Sequence, residues 1–307
     1  MGRLKKSFFY KVSKDTAFRV AFIIGCGFAV ILALIFLGLD LLINNIAEET
    51  DFGYRILTGQ SMLFLSILPA QDYALVIPVI IICFIGLEFS QGTIRNKIIA
   101  GYSKFQIYSS LYLSGLLLYI MLIVPHVLIC VAIGSIFGGF DPNGTVLAIG
   151  SSMSGTISPL LILQYIILSL LAYTSIVSCV VFFVTLFRSI GPCIPIIIVL
   201  LFGCYLVATI MNSVLTTTES MLMSIKMAGS STDTAIAEAE KSFETAKTVA
   251  NVIKVIDPIA SMSMTSNVDG VATIDTYSFF AGVGSNLAYA AAFFFGGAAI
   301  FKKRDIK

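Results

Sequence analysis

The chain has 307 residues and a net charge of +2; 58% of it is hydrophobic and only 12% charged. A soluble domain carries about 25% charged residues to solvate its surface, so this composition excludes a water-facing globular exterior and an attached soluble catalytic domain. Lipid is the solvent that suits such a chain, and the expectation is an all-α polytopic membrane protein forming a single transmembrane domain over residues 1–307.

In chain order, the segment before the first apolar run sets Leu4, Phe8, Phe9 and Val12 against Lys5, Lys6, Lys11 and Lys14 at helical spacing, a pattern suited to a membrane surface. Six apolar stretches are predicted to span: about 17–43, 73–89, 107–137, 159–187, 193–211 and 277–301. The first is too long for the apolar core of a cleaved signal and reads as a retained span. Before the second, SMLFLSILPA (61–70) is too short to cross and is predicted to be interfacial or re-entrant. The second is short, with Gln71 and Asp72 at one edge and Glu88 at the other. In the third, the single histidine, His126, follows Pro125; a structural role at a carbonyl freed by the proline is favoured over a proton relay. Spans four and five are joined by a turn over 188–192, expected to break at Gly191 and Pro192. The six cysteines all lie in apolar runs, where they read as small buried hydrophobes and not as a disulfide or metal framework.

Charge sets the expected orientation. Segments 1–19, 90–106, 188–192 and 302–307 hold fourteen of the nineteen basic residues, so by the positive-inside rule both termini are cytoplasmic. The largest polar piece is then an extracytoplasmic loop at 212–276. Within it, residues 233–256 repeat apolar side chains at Ile236, Ala239, Phe243, Ala246, Ala250 and Ile253, predicting an amphipathic helix. Ser231, Thr232 or Asp233 can cap it and Asp257-Pro258 ends it. Its stripe is expected to meet membrane, other outer loops or a second subunit.

The chemistry-bearing segment is the cytoplasmic loop 88–106. Glu88 closes span two; Gly92 is predicted to break the helix, Thr93 to cap a short new one and Gly101 to stop it. Ile94, Ile98 and Ile99 are available for burial. Ser103 followed by Gln106 forms a capping box for span three. From the residues alone, an interfacial helix anchoring the loop on lipid head groups explains the pattern equally well. The chain contains neither GxxxxGK[ST] nor a strand-borne GxGxxG, hence no nucleotide site of those types.

The run Glu88-Phe-Ser-Gln-Gly92-Thr93-Ile94-Arg95-Asn-Lys97, with Gly101-Tyr-Ser103-Lys104 after it, resembles the cytoplasmic loop of ABC-2 type transporter permeases. There a glutamate ends span two, a Gly-Thr-hydrophobic-Arg stretch leads into a short coupling helix, and Gly-x-Ser/Thr-Arg/Lys opens span three. The likeness implies a type V exporter-like transmembrane domain with six spans, N-in and C-in, in the cell membrane. It further implies a second permease chain, identical or different, and a separate ATP-binding cassette ATPase subunit carrying ATP and Mg, with no cofactor and no hydrolysis in this chain and no nucleic-acid partner. The 93–101 helix would dock on that ATPase, with Glu88, Gly92, Thr93, Ile94, Arg95, Lys97, Gly101, Ser103 and Lys104 as the coupling interface. Arg95, Lys97 and Lys104 would face the ATPase or lipid phosphates. The 212–276 loop is larger than the resemblance leads one to expect. The alternatives are a non-transporting scaffold or immunity-type protein using helix 233–256 as its binding face, and a secondary transporter, which the lack of mid-span charges disfavours.

Overall fold

A computed structural model describes residues 14, 16–47, 57–67, 76–140, 146–148, 151–153, 156–157, 159–227, 233–257, 266–268, 271–274 and 276–303. The basic N-terminal segment, Gln71, Asp72, Ser231, Thr232 and Pro258 lie outside those residues.

The helices are α1 (Thr16–Ala47), α2 (Gly59–Ile67), α3 (Val76–Ser90), α4 (Thr93–Ile99), α5 (Lys104–Gly138), α6 (Pro159–Phe187), α7 (Ile190–Met227), α8 (Asp233–Ile256) and α9 (Thr276–Lys303). Five of them, α1, α5, α6, α7 and α9, are long and apolar enough to cross a membrane; a sixth is reached if α3 and α4, bent by 56° at their break, count as one span. The described part of the expected second span has only 15 residues, about 22 Å at 1.5 Å per residue. Aliphatic side chains stand exposed along α1, with Ile23, Ile24, Leu34, Ile35, Leu41 and Leu42 each more than half uncovered. An outer surface of this kind is stable against acyl chains and costly in water. The architecture is that of a helical, membrane-embedded protein.

The helix ends sort by charge. The start of α1, the α3–α4 bend, the start of α5, the α6–α7 turn and the end of α9 carry Lys14, Arg19, Arg95, Lys97, Lys104, Arg188, Lys302 and Lys303. We refer to this as the basic end, and to the opposite one as the far end.

The core is centred on α6, whose Leu168, Ala172, Ile176, Val180 and Val184 are buried at helical spacing. Its main neighbour is α9. That helix presents Gly282, Ser285, Asn286, Ala290 and Gly297 inward, small or polar side chains that let two backbones approach and bond within an apolar medium. Ser175 donates to the backbone oxygen of Asn286 at 2.7 Å, and the Asn286 amide donates to Gly282 O at 2.9 Å.

Several expectations change here. Of the two alternatives for the segment around 61–67, interfacial or re-entrant, burial speaks against the interfacial one: α2 is buried on nearly every side, with Gln60, Ser61, Met62, Phe64 and Leu65 enclosed. It sits where α5 is thinnest. A Cβ on Gly134 would lie 2.8 Å from Thr58 O, and one on Gly138 would meet the Leu57 backbone. The Asp40 carboxylate of α1 accepts from Leu57 N–H at 3.2 Å, Gly59 N–H donates to Gly139 O at 2.9 Å, and Ser169 of α6 donates to Ile67 O at 2.5 Å. The turn between α6 and α7 is Arg188-Ser189, with Arg188 at φ 54°; Gly191 and Pro192 lie in the first turn of α7, where a proline loses no intrahelical bond.

The 212–276 region is also not a loop at its start, because α7 continues to Met227. The helix 233–256 forms with the expected bounds, and its stripe packs on the extension of α7 and on α9 within the same chain. Lys226 of α7 pairs with Glu240 of α8 at 2.9 Å, near the tip of this helical hairpin. Nor is the far end purely helical. β1 (Val146–Ala148) pairs antiparallel with β2 (Ser151–Met153). β5 (Val271–Thr273) lies between β4 (Ser266–Val268), antiparallel, and β3 (Thr156–Ile157), parallel. The β3–β5 pair thus ties together the chain just before α6 and α9. His126 is buried in an unbroken α5 and its Nε2 lies 3.8 Å from Cys130 Sγ one turn on. The cysteines within the described helices are all free thiols.

Candidate functional site

The site is the bend at the basic end where α3, α4, α5 and α9 meet. Gln91 and Gly92 turn the chain, and Gly92 adopts φ 67°, a left-handed conformation that costs an L-residue about 1–2 kcal/mol. Nothing lies within 4 Å of where its Cβ would be, so the backbone alone requires glycine. Gly92 is also the N-cap residue: Thr93 is the first residue of α4, not its cap, and no side chain caps the helix.

What holds α4 at 56° to α3 is therefore tertiary. A seven-residue helix is far too short to be stable alone. Ile94, 2% exposed, and Ile98 one turn later pack into the core. Between them Lys97 turns inward and donates to Glu88 Oε2 at 2.6 Å. Glu88 sits in the last turn of α3 and is 6% exposed. One ion pair thus closes the angle between the two helices. The opposite side of α4 carries Arg95, Asn96 and Ile99, all exposed; Ile99, expected as a burial position, is 75% exposed. Phe105, in the first turn of α5, is also exposed, its ring edge-on to Phe294 of α9 at 6.3 Å.

Gly101, at φ 86°, ends the short helix. Ser103 then caps α5 in a complete capping box: Gln106 N–H donates to Ser103 Oγ at 3.2 Å, and Ser103 N–H donates to Gln106 Oε1 at 3.1 Å. Lys104 donates to Lys302 O at 3.1 Å, a cation on the carbonyl end of α9, where the helix dipole favours it. Of the three basic residues expected to face a partner, only Arg95 stands on the exposed side; Lys97 is spent on Glu88 and Lys104 on α9.

Sequence reasoning did not find the aromatic joint behind the bend. Phe301 of α9 is buried against Phe89 of α3 (centroids 6.4 Å) and Tyr108 of α5 (6.0 Å), and Tyr108 also packs on Phe294 at 5.5 Å. Gly297 clears the space for the Tyr108 ring. The only signal in the sequence is that Phe89 neighbours Glu88 and Tyr108 lies one turn past the cap; that Phe301 meets both is a tertiary fact. Beside α3, toward α1 and α7, Phe18, Ile24, Val79, Cys83, Leu87 and Ile198 line an apolar groove of about 520 Å³.

The arrangement is a short helix with one face exposed, joined to α3 by an ion pair, while aromatic rings behind the bend pack α3, α5 and α9 together. No protein-family model, curated protein or solved structure matches the chain.

Proposed function

We propose that this chain is the membrane-spanning permease subunit of an ATP-driven ABC transporter, an exporter, with both termini cytoplasmic and the bend at 88–104 as its coupling joint. The observation that carries the reading is the clasped helix: α4 is held rigidly to α3 by Glu88–Lys97 while Arg95, Asn96, Ile99 and Phe105 stay uncovered at the basic end. A force applied to that exposed face by a closing ATPase dimer would reach α3 through the ion pair and α5 and α9 through Phe89, Tyr108 and Phe301. The motif likeness to ABC-2 permeases points the same way, as does the collection of basic residues at that end. The apolar groove beside α3 suits an amphipathic or lipid-like cargo.

The experiment is site-specific photocrosslinking from Ile99 and from Phe105 in native membranes, with the captured chain identified by peptide sequencing. Capture from both positions of a span-free ATPase bearing a nucleotide-binding loop, lost from position 105 when 93–101 is deleted, supports the reading. Capture of no ATPase, together with no ATPase in the purified complex, overturns it. The long α7–α8 hairpin favours a second reading, a membrane scaffold that binds through its far end; a partner captured there with an unoccupied basic end would select it.

A further inference from the structure

Helix α8 changes polarity along its length. In its first two thirds the exposed side chains include Glu238, Glu240, Lys241, Glu244 and Lys247, while Ala239 is buried and Phe243 and Ala246 are half-buried. That is the ordinary sense of a helix facing water. In the last two turns the sense reverses. Val249, Val252, Val255 and Ile256 are exposed, Val252 by 56%, whereas Lys254 is 5% exposed and donates to the buried Ser278 of α9 at 2.6 Å. A helix in water keeps large aliphatic side chains off its exposed face and a lysine on it; here Ala250 and Ile253 still pack inward, yet four aliphatic side chains are left outside and the lysine is enclosed, an arrangement suited to apolar surroundings.

The position of this segment agrees. Tyr289 of α9 bonds Ile256 O at 2.5 Å, and Tyr289 is thirteen residues into α9, about 20 Å from its start. The Lys226–Glu240 pair sets the register in which α8 runs back along α7. Since α7 and α8 run antiparallel, Val249–Val255 lies level with the exposed Leu206, Val207, Ile210 and Val214 of α7. From Ile190 to Met211 α7 measures about 32 Å, one hydrocarbon thickness.

We propose that residues 248–256 of α8 are embedded in the bilayer beside α7 and α9 with their exposed valines against acyl chains, so that the hairpin re-enters the membrane from the far side. The partner is lipid and not a second copy of the chain, because the stripe continues the aliphatic surface of α7 and offers neither the small residues that bring membrane helices together nor aromatic or arginine anchors. The inference rests on the membrane character of the helices and is independent of the transporter reading.

The chain contains no tryptophan, so a single introduced one reports its own surroundings. Val252→Trp and Glu244→Trp are each reconstituted as full chains in phosphatidylcholine vesicles with plain or brominated acyl chains, and quenching by acrylamide is measured in parallel. The expected result is that Val252→Trp emits to the blue, loses most of its emission to brominated lipid and resists acrylamide, while Glu244→Trp does the reverse. Acrylamide quenching at position 252 would place it in water and overturn the proposal. Protection from both quenchers would place it against protein, a second copy included, and would equally overturn it. If Val252→Trp fails to insert as a folded chain, Val255→Trp, one turn on along the same stripe, gives the same readout.

Discussion

Removing Lys97 should free α4 more than removing Glu88 does. Their side chains are joined at 2.6 Å but are unequally enclosed, with 17% of the lysine and 8% of the glutamate exposed. Breaking a buried ion pair costs about 3–5 kcal/mol when the surviving charge has no escape. In Glu88→Gln, the lysine stem is long enough to carry its ammonium to water, and the loss falls to about 1 kcal/mol, as for a partly exposed pair. In Lys97→Met, the short Glu88 side chain, only 8% exposed, stays enclosed, and the loss is about 3 kcal/mol. Because α4 is short, the cost appears as local opening and not as global unfolding. Amide exchange across 93–101 should quicken about 5-fold in Glu88→Gln and about 100-fold in Lys97→Met, at 1.4 kcal/mol per tenfold. The double variant, with no buried charge left, should exchange more slowly than Lys97→Met alone. Hydrogen exchange read by mass spectrometry on detergent-solubilised chains measures all three. Strictly additive variants, or equal single effects, would refute the clasp as the element that sets the α3–α4 angle.

Three further changes follow from the same geometry. Gly92→Ala should lower the thermal midpoint by an amount corresponding to about 1–2 kcal/mol through backbone strain alone, with Gly92→Asn milder because Asn tolerates the left-handed region; a fluorescence-detected melting assay on the solubilised chain ranks them. Ser103→Ala removes one half of the capping box and should cost about 1 kcal/mol, seen as faster amide exchange confined to the first turn of α5. Gly134→Ala sets a methyl group 2.6 Å from Met62 Cγ and 2.8 Å from Thr58 O and should unseat α2 at a cost of about 1–3 kcal/mol, read in the same melting assay as a lowered midpoint.

What could be read in the sequence was whatever local chemistry dictates. The Ser103–Gln106 box, the stops at Gly92 and Gly101 and the span 233–256 depend on neighbours within one or two turns, and they occur where the pattern places them. The misassigned features depend on distant partners. Thr93 has the chemistry of a cap, yet Gly92 holds that position because the chain bends there through a left-handed residue. Ile99 has the hydrophobicity of an anchor, but Ile94, Lys97 and Ile98 already fill the inward face of so short a helix. Residues 61–67 have the length of an interfacial piece, and only Gly134 and Gly138, some seventy residues on, create the slot that buries them.

The seat of α2 also constrains how the protein is made. Its bonds reach Asp40 on one side and Ser169 on the other, the latter separated from Ile67 by 102 residues. At a synthesis rate of about 5–20 residues per second, Ser169 leaves the ribosome roughly 5–20 s after α2 does. During that interval Gln60, Ser61 and Ser66 have neither their slot in α5 nor their ceiling in α6. The insertion machinery must therefore hold an unfinished, partly polar nine-residue helix until two later spans arrive, and slowing those spans should divert nascent chains to degradation before any defect shows in the finished protein.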